Sequence, residues 1–422
     1  DQTIDFQMAN AQDPDLRRFK CGLLDRDSAL AAARNLSEFI GGLPKAELHI
    51  HVEGALSAAL AHRIAVRNGL DLAALDPEAK LDPEAGAAAR RDFKSLVPFL
   101  DERNKCDAVM RTEQDFYDLM MTYLERAAEN HVRHAEIFFD PQVFCFTNVS
   151  GVPVQSKPYF DANGVGEPIL PFETVVNGLH RALEEGRARL NIDGRLIMCF
   201  LRDRSAEEAH KVLDLALPHL DKLLGVGLDN AELGFRPGKF KEVYARAREA
   251  GLRCVAHAGE EGDASYVTEA LDELKIERVD HGVRAFQDPA VIERLRKAQT
   301  PLTLCPCSNH RLQVYPRFFC GENAVRPMVD AGLKVTLNSD DPAYFFMGDV
   351  DPDCRPRNAS AYDGYLNSNY VRTARDCGLT ADELVALARN SFEASFLTPG
   401  ELQAYLAELA AFCNGWRPVR SS

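Results

Sequence analysis

The stretch "ELHIHVEGAL", Glu47 to Leu56, sets two histidines one residue apart at the end of a short apolar run. On a strand, residues i and i+2 point to the same side, so His49 and His51 can aim two ring nitrogens at one point. Short motifs match often by chance, and an H-x-H pair alone is as readily a surface accident or a pair of packed core histidines. Its meaning rests on what else the chain places beside it.

Runs of the same kind recur. They lie at roughly 46–50, 134–139, 195–201, 225–229, 252–256, 277–280, 301–305 and 334–338, separated by longer Ala- and Leu-rich, charge-bearing segments. "FKEVYARAREAG" and "AVIERLRKAQ" are examples, and both suit amphipathic helices ending near Gly. Short strands alternating with helices call for parallel pairing with right-handed crossovers. Eight such strands can close into a (β/α)₈ TIM barrel, while a doubly wound open sheet is the simpler alternative.

Polar clusters decide between them. His49 and His51 follow the first run, "HAGE" (257–260) the fifth, "DHG" (280–282) the sixth and "NSDDP" (338–342) the eighth. Barrel enzymes build their sites at the C-terminal ends of the strands, where all eight converge on one mouth. An open sheet would hold the first and last strands far apart. The fold class expected is therefore α/β, a (β/α)₈ barrel with additional helices and loop insertions.

Bulk properties agree with an enzyme of this size. The 422 residues are 46% hydrophobic and 27% charged, with a formal charge of −15 and no Lys/Arg block. That balance disfavours nucleic acid as a partner. The densest apolar run, "LIMCFL" at 196–201, is strand-sized, so no membrane span is expected. Eleven scattered cysteines do not form a disulfide framework. With no signal-like N-terminus, the expected location is cytoplasmic, and also nuclear in a eukaryote.

The clusters carry a metal-site reading. His257 can add a third nitrogen to His49 and His51, and one of Asp340 and Asp341 an oxygen. Three histidines and a carboxylate suit zinc with a position left for water. The same set also suits iron or manganese. Glu260, three residues past His257 in a Gly-containing turn, can approach a water or substrate without being a ligand. His281 can take a proton from an attacking water or orient it. The fragments "HAE" (134–136) and "PCSNH" (306–310) resemble the small zinc-deaminase signature only in part, because position 310 is His and His134 opens a strand. Cys305 and Cys307 read as buried thiols. No P-loop, G-x-G-x-x-G or G-x-S-x-G is present.

Taken together, "PKAELHIHVEGAL", "HAGEEG", "RVDHGVR", "LCPCSN" and "LNSDDPAYF" resemble the adenosine/adenine deaminase family of the amidohydrolase superfamily, from about residue 43 to 397. The resemblance implies a barrel with one divalent metal, most simply Zn²⁺, held by His49, His51, His257 and Asp340. It implies that Glu260 protonates purine N1, that His281 activates water and that Asp341 meets N7. The wording of "H-x-H-x-E-G", "DHGVR" and "SDDPAYF" resembles the adenine branch, whereas nucleoside deaminases usually have Asp at the position of Glu53. Glu53 and Asp280 are expected to crowd the space a ribose would fill. The implied reaction is hydrolysis of adenine to hypoxanthine and ammonia in purine salvage, the alternatives being adenosine or a larger 6-aminopurine. A binuclear hydrolase would need a lysine at the fourth strand end, and "GVGLDNAELG" has none.

The expected organisation is an N-terminal arm and helix (1–42, helix capped by Ser28), the barrel (43–397) and a helical tail (398–422). Two insertions, 147–168 and 346–363, are Gly/Pro/Asn/Asp-rich and follow strand ends, where they can act as lids, as oligomer contacts or simply as solvated loops.

Overall fold

The computed structural model describes residues 35–70, 93–146, 170–345 and 364–417. The N-terminal arm, Ser28 and both insertions lie outside the described residues. All eight expected runs are strands: β1 (Lys45–His51), β2 (Val132–Phe139), β3 (Asp193–Leu201), β4 (Leu223–Asp229), β5 (Arg253–Ala258), β6 (Arg278–His281), β7 (Leu302–Leu304) and β8 (Val335–Leu337). They form one sheet in sequence order, and every adjacent pair is parallel.

Closure lies at the first motif. Ile50 bridges Asp340, the His51 N–H donates to the Asp340 carbonyl at 3.0 Å, and the Asp340 N–H donates to the His49 carbonyl at 3.1 Å. The seam that joins the first strand to the segment after the last is thus made by the backbone of the candidate metal ligands. An open sheet is excluded.

Helices wrap the outside, and their ends follow local chemistry. The helix Glu113–Glu129 starts at a capping box formed by Thr112 and Asp115. Lys241–Glu249 covers the first expected helix and gives way to Gly251 at φ +86°. Pro289–Ala298 covers the second, with the Asp288 carboxylate accepting from the Ala290 N–H. Its left-handed cap is Gln299 (φ +50°) and not a glycine. Helix Pro399–Gly415 returns to the start of the described chain, where Phe412 and Trp416 pack on Phe39 with ring centroids 5.6 and 5.0 Å apart. The buried Lys45 ammonium donates to the Ile40 and Leu43 carbonyls at 2.7 and 2.6 Å, tying the end of the helical stretch over 35–42 to β1. Among the described residues, no helix is long and apolar enough to cross a membrane.

Candidate metal centre and active site

Three histidines converge at the C-terminal mouth of the barrel, and each is held from behind. His49 Nδ1 lies 2.9 Å from the Thr303 hydroxyl, which donates to Asp280 Oδ1 at 2.9 Å. His257 Nδ1 faces Asp280 Oδ2 at 3.9 Å, and His51 Nδ1 faces Asp229 Oδ2 at 3.5 Å. The Thr303 hydroxyl, donating to Asp280, accepts from His49 Nδ1 and leaves a lone pair at His49 Nε2, while the carboxylates behind His257 and His51 favour the hydrogen at Nδ1 without bonding it. Burial drives the His51 ring down to about 3 and the His257 ring well below its ordinary value, so both are neutral near pH 7.

That arrangement is unfavourable without a guest. His51 Nε2 and His257 Nε2 face each other 3.2 Å apart, and His49 Nε2 is buried with no hydrogen-bond partner. Asp340 Oδ1 lies 3.6 and 3.7 Å from the Nε2 atoms of His49 and His51. Ligand atoms of His49, His51 and His257 all fall within 4.8 Å of one another. Three inward nitrogens and one carboxylate oxygen fit a divalent ion, which would give them a common partner.

The proton-handling candidates sit beside it. His281 Nε2 is 3.6 Å from Glu260 Oε2 and 3.7 Å from Asp340 Oδ2, and its Nδ1 is 3.3 Å from the Asn309 amide. Burial, with Asp340 nearby, raises the Glu260 carboxyl well above the usual range, and its Oε1 has no protein partner. Asp341 is likewise raised, by burial and by Asp340. A side chain at Gly54 would come within 2.4 Å of Asp341 Oδ1, so the glycine of "HVEG" makes room for that carboxyl.

Backbone strain serves the same end. Adjacent residues on a strand point to opposite faces, yet Asp280 and His281 both reach the centre, as do Asp340 and Asp341. His281 (φ +59°) and Asp340 (φ +66°) take left-handed conformations that break the alternation. Such strain costs on the order of 1–3 kcal/mol per non-glycine residue and collects at functional sites.

Neither residue expected at the ribose space lines the cleft. Asp280 is fully buried beneath His49 and His257 and does not face a ribose. Glu53 turns its Oε1 to the Asp140 N–H at 2.9 Å and is not among the residues lining the cleft. Its reach toward a substrate is indirect, through Asp140 to Arg103. The cleft is lined by Leu96, Phe99, Leu100, Leu312 and Arg103 opposite the histidines, Glu260 and Asp341. Helix Leu96–Asp107 supplies most of that wall at i, i+3, i+4 and i+7. Arg103 ends the row, bonding Asp140 Oδ2 at 2.5 Å and Asp341 Oδ1 at 3.4 Å.

Arg103, Asp140, Asp229, Thr303 and Asn309 had no place in the sequence reading. Asp140 and Asp229 carry the signal used for the others, a polar residue closing an apolar run ("IFFDP", "GVGLDN"). Thr303, inside β7, carries none. His134 bonds Asp193 at 2.9 Å near the strand starts, away from the mouth. Cys305 and Cys307 are buried thiols, the first raised well above its ordinary value by burial and the second to about 12. Cys305 Sγ nonetheless lies within 4.8 Å of ligand atoms of His49, His281 and Asp340.

Residues 44–411 match the sequence model of the family described as adenosine deaminase. The chain belongs to that family. The adenine deaminase of Streptomyces coelicolor is 47% identical over 372 residues, which are 88% of this chain and 96% of that protein. The crystal structure of an adenine deaminase from Arthrobacter aurescens superposes with a TM-score of 0.73 at 39% identity, covering 88% of this chain and 99% of the other. A Burkholderia ambifaria amidohydrolase solved with bound Zn shares the fold, with a TM-score of 0.71 at 24% identity over 94% and 96% of the two chains. Membership makes this deaminase-family chain a hydrolytic aminohydrolase and implies a divalent metal.

Proposed function

We propose that the protein hydrolyses adenine to hypoxanthine and ammonia in purine salvage, using one zinc ion held by His49, His51, His257 and Asp340. The observation that carries this reading is the meeting of three inward histidine nitrogens with a buried, partner-free Glu260 oxygen in one apolar-walled cleft. The relatives named as adenine deaminases supply the substrate, and the zinc of the Burkholderia protein supports the choice of metal.

His49, His51, His257 and Asp340 would hold the ion, whose chemistry would be to lower the pKa of a water toward about 7. The chain's own residues do the rest. The Asn309 amide nitrogen faces His281 Nδ1 at 3.3 Å; rotating that amide to present its oxygen would leave the ring proton on Nδ1 and free Nε2 to take one from the attacking water. Glu260, kept protonated by burial, donates to N1 of the purine as C6 is attacked, so the ring accepts electrons without a full negative charge. Asp341, anchored by Arg103, meets N7 and sets the ring's orientation. Leu96, Phe99, Leu100 and Leu312 enclose the flat base and exclude water. The proton taken by His281 passes to the C6 amino group, the C6–N bond breaks to release ammonia, and the C6 hydroxyl proton returns to the Glu260 carboxylate as the carbonyl forms.

The test is ammonia release from metal-analysed protein, with adenine and adenosine run side by side. Strong preference for adenine with one zinc per chain is expected. Preference for adenosine would overturn the substrate, and full turnover in metal-free protein would overturn the metal.

A further inference from the structure

The glutamate that handles the proton lies in a turn, and one other carboxylate organises that turn. Glu232 stands three residues past the end of β4 and is 1% exposed. Its Oε1 accepts the Gly259 N–H at 2.7 Å, and its Oε2 accepts the N–H groups of Glu260, Glu261 and Gly262 at 3.0, 2.7 and 2.8 Å. Four successive backbone donors thus wrap one side chain. Hydrogen bonds to an ionised acceptor are roughly twice as strong as neutral ones.

The flanking residues of "HAGEEG" suit this wrapping. Gly259 has φ +77°, and a Cβ on Gly262 would stand 2.9 Å from Glu232 Oε1 and 2.6 Å from the Tyr266 ring. Arg202, fully buried, donates to the His257 carbonyl at 2.7 Å on the other side. The Arg317 guanidinium bonds Glu261 Oε1 at 3.0 Å and so holds the neighbouring side chain outward. Glu260 itself receives no protein hydrogen bond at Oε1, so its position rests on its backbone.

We propose that Glu232 is a positioning residue for the reaction: its carboxylate gathers the amides of 259–262 and so aims Glu260 at the substrate ring. The inference rests on the reading of Glu260 as the proton donor. It distinguishes Glu232 from a residue that merely stabilises the barrel, because the effect must pass through one neighbouring side chain.

The experiment is a double-mutant cycle in the zinc-loaded protein with adenine as substrate. Glu232→Gln replaces an acceptor oxygen with an amine that opposes the backbone donors. It is expected to lower kcat on the order of 10²-fold, the cost of a misplacement of about 1 Å, while KM and metal content stay near the parent's. In a Glu260→Gln background the same change is expected to cost almost nothing further, because the group it aims is already disabled. Parent-like kcat in Glu232→Gln, loss of metal, or a full additional loss in the double variant would each overturn the proposal. Full activity in Glu260→Gln alone would instead sink the reading it rests on, and the proposal with it. Should Glu232→Gln fail to fold, Glu232→Asp carries the same cycle, with a smaller expected loss because the charge remains.

Discussion

The two ends of the barrel treat buried polar groups in opposite ways. Near the strand starts, Glu136 accepts from His134 at 3.3 Å and from the Phe396 N–H at 2.6 Å through one oxygen, and pairs with Arg278 through the other. At the strand ends, His49 Nε2 and Glu260 Oε1 are as deeply buried and have no partner. An unsatisfied buried polar atom costs about 1–3 kcal/mol, so an ion, ligand or water that pairs with these atoms recovers free energy at the mouth. Two glutamates make the contrast sharp. Against the upward push of burial, Arg278 and His134 hold the Glu136 carboxyl down at about 2. Burial and Asp340 push Glu260 up.

The largest effect should come from emptying the mouth. His51→Ala removes one inward nitrogen and exposes Asp229 and His257 without a common partner. Turnover should fall to background with zinc lost, measured by ammonia release and metal analysis. Circular dichroism should remain that of a folded barrel, because the floor network is untouched. Retention of stoichiometric zinc would break the proposed ligand set.

Glu260→Gln comes next. General acid catalysis typically contributes 10²–10⁴-fold, and kcat should fall by about that factor with the metal retained. The same carboxyl sets an alkaline limb. A raised pKa keeps the acid protonated at neutral pH, so kcat should hold below that pKa and decline as pH rises through it. A kcat profile that keeps rising through the alkaline range would remove Glu260 as the donor.

The floor should respond in the other sense. Arg278→Met leaves Glu136 buried without its cation and should cost about 3–5 kcal/mol of stability, read from urea unfolding. Because Arg278 Nε also lies 3.7 Å from Asp280 Oδ1, behind His49 and His257, kcat of the molecules that remain folded should fall, but far less than in His51→Ala. Because the folded Glu136 value (about 2) lies below its ordinary 4.5, its stabilisation is present above pH 4.5 and is lost as pH falls toward 2. The shift corresponds to about 3 kcal/mol. A normal acid transition in Arg278→Met would show that the pair is not what acid breaks.

The strands and the side chains that meet at the mouth were readable because both are written locally. A short apolar run closed by His, Glu or Asp is a strand with a polar tip, and eight such runs leave little choice of architecture. The groups that hold those side chains are written elsewhere. Arg103 finds Asp341 across 238 residues, and Thr303 reaches Asp280 from the middle of β7. Asp280 was misread for a related reason. Asp280 points inward one layer below the mouth, behind His49 and His257, and the left-handed backbone of His281 brings the next side chain in above it.

Glu53 offers the smallest and most discriminating change. Its Oε1 receives the Asp140 N–H at 2.9 Å, its Oε2 is buried without a partner, and burial with Asp140 nearby raises its carboxyl. Glu53→Asp withdraws the acceptor by one methylene and loosens Asp140, which bonds Arg103, which in turn meets Asp341. Three links separate the change from the purine, and each can absorb part of it. The expected result is therefore a several-fold rise in KM for adenine with kcat little altered, because loosening Asp341 weakens ring binding in ground and transition states alike. Were Glu53 in direct contact with substrate, shortening it would instead open the ribose space and raise adenosine turnover relative to adenine. The ratio of the two activities in Glu53→Asp separates an indirect anchor from a specificity wall.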